Sequence, residues 1–230
     1  MKGGNSMKKR IKLADRLLPD YTKNEEILNM VTHIVGGALG LLSLTLCIIR
    51  CAASRNVPGL VGSAIFGFTM VALYCISSIY HGLHAGIGKK VMQVIDHCAI
   101  YFLICGTYTP ILLSAFLPVY PVLCWGLLGF QWALAFLAAT LNAIDLKKYK
   151  IFSMICYILM GWSIILFPVP LIQVMTLHGF WLLLSGGIAY TIGAILYGIG
   201  SHRRWFHGVF HIFVVLGSIL HFLSIYFYAL

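Results

Sequence analysis

Polar and apolar positions divide this chain into long blocks. Residues 27–49, 56–88, 97–144, 151–202 and 205–230 contain no Asp, Glu, Lys or Arg. A helix crossing the hydrocarbon core of a bilayer needs about 20 mainly apolar residues. The first, second and last blocks therefore hold one span each, and the third and fourth hold two. Both double blocks carry a proline pair where a hairpin is expected, Pro118 with Pro121 and Pro168 with Pro170, because proline removes a backbone donor and ends helices. The pattern predicts an all-α bundle of seven transmembrane helices over residues 27–49, 59–81, 94–114, 121–142, 151–168, 177–199 and 205–228.

The cations choose a side. Lys2, Lys8, Lys9, Arg10, Lys12, Arg16 and Lys23 precede the first span, and Lys89, Lys90, Lys147, Lys148, Lys150, Arg203 and Arg204 fall between alternate spans. Only Arg50 and Arg55 lie on the other side. Loops rich in Lys and Arg stay in the cytoplasm, so the N-terminus is expected inside and the C-terminus outside.

Composition agrees: 60% of the 230 residues are hydrophobic and 10% charged, with a mean hydropathy of +0.93, beyond the range of a soluble domain. The net charge of +10 reads as a topology signal aided by anionic headgroups, and no nucleic-acid partner is expected. The stretch before the first span is too long and too basic for a typical cleaved leader. Residues 1–20 are expected to form a mobile basic arm and residues 21–230 a single domain in the bacterial cytoplasmic membrane. Seven cysteines form no CxxC pair and lie mostly within spans, where cysteine packs as a small apolar residue.

Ionisable groups inside a bilayer are costly and face the bundle interior, so each is a candidate for function. His33, His81, Asp96, His97, His207 and His211 come from four predicted spans, yet all fall near the cytoplasmic side. At 100° per residue, His207 and His211 differ by about 40° and lie about 6 Å apart along the axis, a spacing that lets two imidazoles reach one ion. Ser77 and His81 share a helix face in the same way. Glu26, Asn29, His33, Gly36 and Gly40 occupy an arc of about 80° on the first span, a face expected to point inward. These parts fit a three-ligand zinc site of His81, His207 and His211 with its fourth place open to water. Asp96 would hold that water or bind the metal directly, and would accept a proton.

Plainer readings stand beside this one. A His-x-x-x-His pair arises by chance, and interfacial histidines also snorkel or hydrogen-bond near headgroups. His84 competes with His81 as a ligand, and His97 points about 100° away from Asp96. His221 shares the face of His211 but lies about 15 Å deeper, which suits an internal hydrogen bond. His178 and His202 suit solvated positions, and Cys75 and Cys98 lie off the relevant faces. For His33 two readings stay open, a packing hydrogen bond and a role at the site.

The segments EEILNMVTHIVGG (25–37), SSIYH (77–81), DHCAIYFLICGTYTP (96–110) and HGVFH (207–211) resemble the recurrent motifs, in order, of the hemolysin III family, the bacterial branch of the progestin and adiponectin receptor superfamily. The resemblance covers about residues 25–228. It implies seven helices with the N-terminus inside and zinc held by His81, His207 and His211, with Asp96 on the zinc-bound water and Ser77 beside it. The extra domain that precedes the first span in the eukaryotic receptors is missing, so adiponectin recognition does not carry over. By analogy with the ceramidase activity of the receptor branch, the expected function is hydrolysis of a lipid amide or ester in membrane lipid homeostasis, with Asp96 and Ser77 catalytic and an acyl chain entering between helices. The alternative is a non-enzymatic homeostasis regulator or a pore-forming cytolysin with a structural zinc. The oligomeric state is not legible.

Overall fold

A computed structural model of the chain describes residues 12–200 and 203–230. The helices are α1 (Lys23–Ala53), α2 (Val57–Gly82), α3 (Ile87–Pro110), α4 (Pro121–Ile144), α5 (Lys150–Trp162), α6 (Pro168–Ile199) and α7 (Phe206–Tyr228). No strand occurs among the described residues. Six of the seven helices are long and apolar enough to cross a membrane. The seventh, α5, gains a 3-10 turn over Ser163–Leu166. Together they rise roughly 27 Å, close to the hydrocarbon thickness of about 30 Å.

Exposed Leu41, Ile49, Phe68, Trp125, Phe136 and Ile195 belong to a lipid-facing surface, since a water-facing one does not carry apolar area on this scale. The protein is a multi-pass helical membrane protein. The helices follow one another around a ring that α1 closes by packing on α7, while α3 also touches α5. The apolar core of Phe66, Met70, Ile111, Leu112 and Phe116 fills the half away from the loops that carry the lysines.

Local chemistry sets the helix ends. Thr22 and Glu25 form a reciprocal capping box at the start of α1, which satisfies backbone donors that the first turn leaves free. Asn56 caps α2 by accepting from the Gly59 amide at 2.9 Å. The connection between Pro118 and Pro121 is a tight turn, with Pro121 opening α4.

Several boundaries differ from the sequence pattern, and α1 runs four residues beyond the expected 27–49 at each end. Helix α3 begins at Ile87 rather than near residue 94, so Lys89 and Lys90 are helical, and Lys89 is buried. At the other end α3 runs into a π-helical segment over Ile111–Phe116. Pro168 and Pro170 do not separate two helices by a loop. Pro168 opens α6, where a missing N–H costs nothing, and the break comes at Thr176 (φ 61°, ψ 167°). Of the expected N-terminal arm, residues 1–11 lie outside the described residues. Within 12–20, Leu13–Asp15 form a 3-10 turn and Arg16 donates to the Ile144 carbonyl at 2.9 Å.

Candidate metal centre

Helices α2 and α7, both packed on α1, bring His81, His207 and His211 together. Glycine at position 36 allows α1 and α2 to approach closely, since a Cβ there would lie 2.5 Å from the Tyr74 ring. Helix α7 is anchored at its first turn by Glu25, whose Oε1 accepts the Trp205 amide at 2.7 Å. Trp205 adopts the left-handed region (φ 68°), a conformation that costs a non-glycine residue of order 1 kcal/mol and persists where surrounding contacts fix it. Two residues later the chain presents His207.

The ring nitrogens converge. His207 Nε2 lies 3.3 Å from His81 Nε2 and 3.1 Å from His211 Nε2. Metal-to-imidazole bonds of about 2.0–2.1 Å in a tetrahedral shell put ligand nitrogens roughly 3.3 Å apart. The opposite edges of two rings are occupied: His81 Nδ1–H donates to Glu26 Oε2 at 2.6 Å, and His211 Nδ1–H donates to the Asn29 carbonyl at 3.2 Å. These partners fix the protonated nitrogen of each ring, as they do for metal-ligating histidines generally. The Nε2 lone pairs of His81 and His211 then face inward, where a cation relieves their mutual repulsion. These three side chains can hold a metal ion.

Glu26 also accepts from Lys89 Nζ at 2.6 Å, and that ammonium donates to the Leu83 carbonyl at 2.9 Å. One carboxylate thus joins α1 to α2 and α3 beside the histidines. Tyr21 stacks on His207 with ring centroids 5.0 Å apart. Burial pushes its phenol well above the ordinary value, so it covers the site as a neutral ring. Neither Glu26 nor Lys89 stood out as a site residue in the sequence. The signal available for Glu26 was its place on the helix face of Asn29 and His33. Lys89 carried none, because a lysine near a span end reads as a loop marker.

Ser77 on α2 and Asp96 on α3 border the same cavity, of about 150 Å³, as His207 and His211. Both are buried, and Ser77 Oγ has no hydrogen-bond partner among the described residues. His97 Nδ1 lies 3.7 Å from Asp96 Oδ2. His97 itself is engaged elsewhere, through Nδ1 with the Gln93 carbonyl at 2.8 Å and through Nε2 with the Tyr197 hydroxyl at 3.3 Å.

The packing hydrogen bond open to His33 is not formed. Both its nitrogens lack partners among the described residues, and its ring stacks on His211 at 3.6 Å and 8°, which puts it against the centre. His221 borders the far end of the cavity and makes an internal hydrogen bond to the Leu183 carbonyl at 3.0 Å. His84 and His178 are exposed, and His202 lies outside the described residues. All seven cysteines are free, and none joins the histidine cluster.

A larger hollow of about 860 Å³ reaches the cytoplasmic loops. It is bordered by Arg16, Lys147 and Arg203, and it shares His97, Tyr157, Tyr197 and His207 with the inner cavity. The histidine centre therefore stands between an interior cavity walled by the bundle and a vestibule that also carries Asp15, Asp20, Glu25 and Asp145, so that charges of both signs line it.

Comparison with known proteins shows the family. A family model described as Haemolysin-III related matches residues 21–222. The chain is 37% identical to Hemolysin-3 of Bacillus cereus over 206 residues, covering 90% of this chain and 92% of that protein. It is 36% identical to the Hemolysin-3 homolog of Bacillus subtilis (strain 168), covering 90% and 96%. The human monocyte to macrophage differentiation factor is 25% identical over 199 residues, covering 75% and 79%. With its motifs, its helical bundle and a family match over residues 21–222 in accord, the chain belongs to the haemolysin-III-related family.

Proposed function

We propose that the protein is an intramembrane zinc-dependent hydrolase of a lipid amide or ester, ceramidase-like in its chemistry and serving membrane lipid homeostasis. The observation that carries this reading is that His207 Nε2 lies 3.3 Å from His81 Nε2 and 3.1 Å from His211 Nε2, beside a cavity bordered by a buried carboxylate and a hydroxyl without a partner among the described residues. The all-nitrogen donor set with neutral imidazoles suits zinc, which in catalytic sites commonly takes three protein ligands and leaves one place open. At such a site zinc supplies Lewis-acid chemistry, polarising a carbonyl and making water more acidic.

The protein's own groups do the rest. His81, His207 and His211 would hold the ion, with Glu26 and the Asn29 carbonyl fixing the two rings they contact. Asp96 accepts the proton of the attacking water at its carboxylate and returns it to the leaving nitrogen or oxygen as the acyl bond breaks. Ser77 Oγ–H donates to the water or to the developing oxyanion. The apolar wall of Leu73, Ile100, Leu103 and Phe210 receives the acyl chain and excludes bulk water.

The test is fatty-acid release from acyl amides by purified protein. Asp96→Ala should retain zinc and lose release. The name of the Bacillus cereus relative supports a second reading, a pore-forming cytolysin. Liposome conductance that survives His207→Ala, with no release from any acyl lipid, would favour that reading.

A further inference from the structure

The inner cavity is bordered by a polar group that hydrolysis does not use. His221 on α7 is 8% exposed and borders the cavity, ten residues beyond His211. That is about 15 Å of helix rise, a distance matched by an extended chain of roughly a dozen carbons. The volume of about 150 Å³ corresponds to on the order of ten water-sized groups at 10–15 Å³ each.

The ring's orientation and protonation are fixed by its neighbours. A Cβ on Gly186 would fall 2.2 Å from His221 Cδ2 and 2.6 Å from Nε2, so only glycine lets the ring lie this close to α6. Nε2 then meets the Leu183 carbonyl at 3.0 Å. A carbonyl only accepts, so Nε2 carries the proton, and in the neutral ring Nδ1 is an acceptor. Nδ1 is buried without a partner among the described residues. The nearby hydroxyls are committed elsewhere, since Tyr74 and Tyr190 both bond to Ser218 Oγ, at 2.6 and 2.7 Å. A buried acceptor in an apolar wall is costly until a donor reaches it.

We infer that His221 is a specificity-determining residue that selects an acyl chain bearing a hydroxyl about a dozen carbons from its carbonyl, the hydroxyl donating to Nδ1. This rests on the reading above in one respect, that the acyl carbonyl sits at the histidine centre. The required donor makes the selection chemical as well as steric. A ketone at the same carbon offers only an acceptor, and a methylene offers nothing.

The test is competitive displacement of a fluorescent fatty acid from the purified metal-loaded protein in lipid nanodiscs. The probes are octadecanoic acid and its derivatives carrying a hydroxyl on the third carbon, a hydroxyl on the twelfth carbon, or a ketone on the twelfth carbon. The wild-type protein should bind the twelfth-carbon alcohol about 3- to 10-fold more tightly than the other three, the effect of one neutral hydrogen bond. His221→Phe, with metal content unchanged, should erase the preference. Equal binding of all four probes to the wild-type protein would overturn the proposal, as expected if a water alone occupies Nδ1. The ketone comparison needs no variant, so a misfolded His221→Phe does not protect the idea. Hydroxyl selectivity without any acid release from the matching amides would overturn the hydrolase and leave His221 as the selector of a bound lipid. Acid release without selectivity would overturn the role of His221 alone.

Discussion

The two halves of this bundle bury different things. Away from the cationic loops, Phe66, Ile111, Leu112, Phe116 and Ile225 fill the interior, and polar groups close on one another, as where Asn56 donates to Ser114 and Ser114 to the Ala229 carbonyl. Towards the cytoplasm the interior holds His33, Ser77, His81, Lys89, Asp96 and His211. Both nitrogens of His33, Ser77 Oγ and His207 Nδ1 lack partners there. Native proteins leave few buried polar atoms unsatisfied, and those that remain call for an explanation. Unpartnered buried atoms thus gather beside the histidines, while the opposite half closes most of its polar groups on one another, with His221 Nδ1 an exception.

The largest effect should come from the ligands. His211→Ala or His207→Ala removes one of three donors, and metal measured by mass spectrometry on purified protein should fall from about one per chain to below one tenth. Glu26→Gln should act next, keeping the shape but losing the charge that faces His81 and Lys89. Metal affinity, read by chelator competition, should fall about 10- to 100-fold, the usual cost of removing a partner that orients a ligand. Rescue by Glu26→Asp would show that the carboxylate matters rather than the packing.

Leu112→Ala, in the opposite half, should lower stability by about 2 kcal/mol by opening a cavity while leaving metal affinity unchanged. A matching loss of metal there would break the division between the halves. Ser218→Ala should have the smallest effect, about 1 kcal/mol from two hydroxyl contacts that lose their shared partner, visible only as a modest shift in thermal unfolding.

The sequence shows the division only in part. Uncharged blocks announce the spans, because a bilayer imposes length and apolarity on each one locally. The spacing of His207 and His211 announces a chelating face for the same reason, since one helix contains both. Contacts between helices leave no such mark. Glu26 meets His81 across 55 residues and Lys89 across 63, and nothing near Lys89 distinguishes it from the topological lysines beside it. His33 carries no sign that it will stack on a ring 178 positions away rather than hydrogen-bond. Pro168 misleads because the same residue that ends one helix is well suited to begin the next.

Whether three imidazoles from two helices grip one zinc ion is read by X-ray absorption at the zinc edge of the purified protein. About one zinc per chain is expected, with three nitrogen neighbours of imidazole type at about 2.0–2.1 Å and one oxygen neighbour. Sulfur at about 2.3 Å, or a spectrum unchanged when His81, His207 or His211 is replaced, would contradict it.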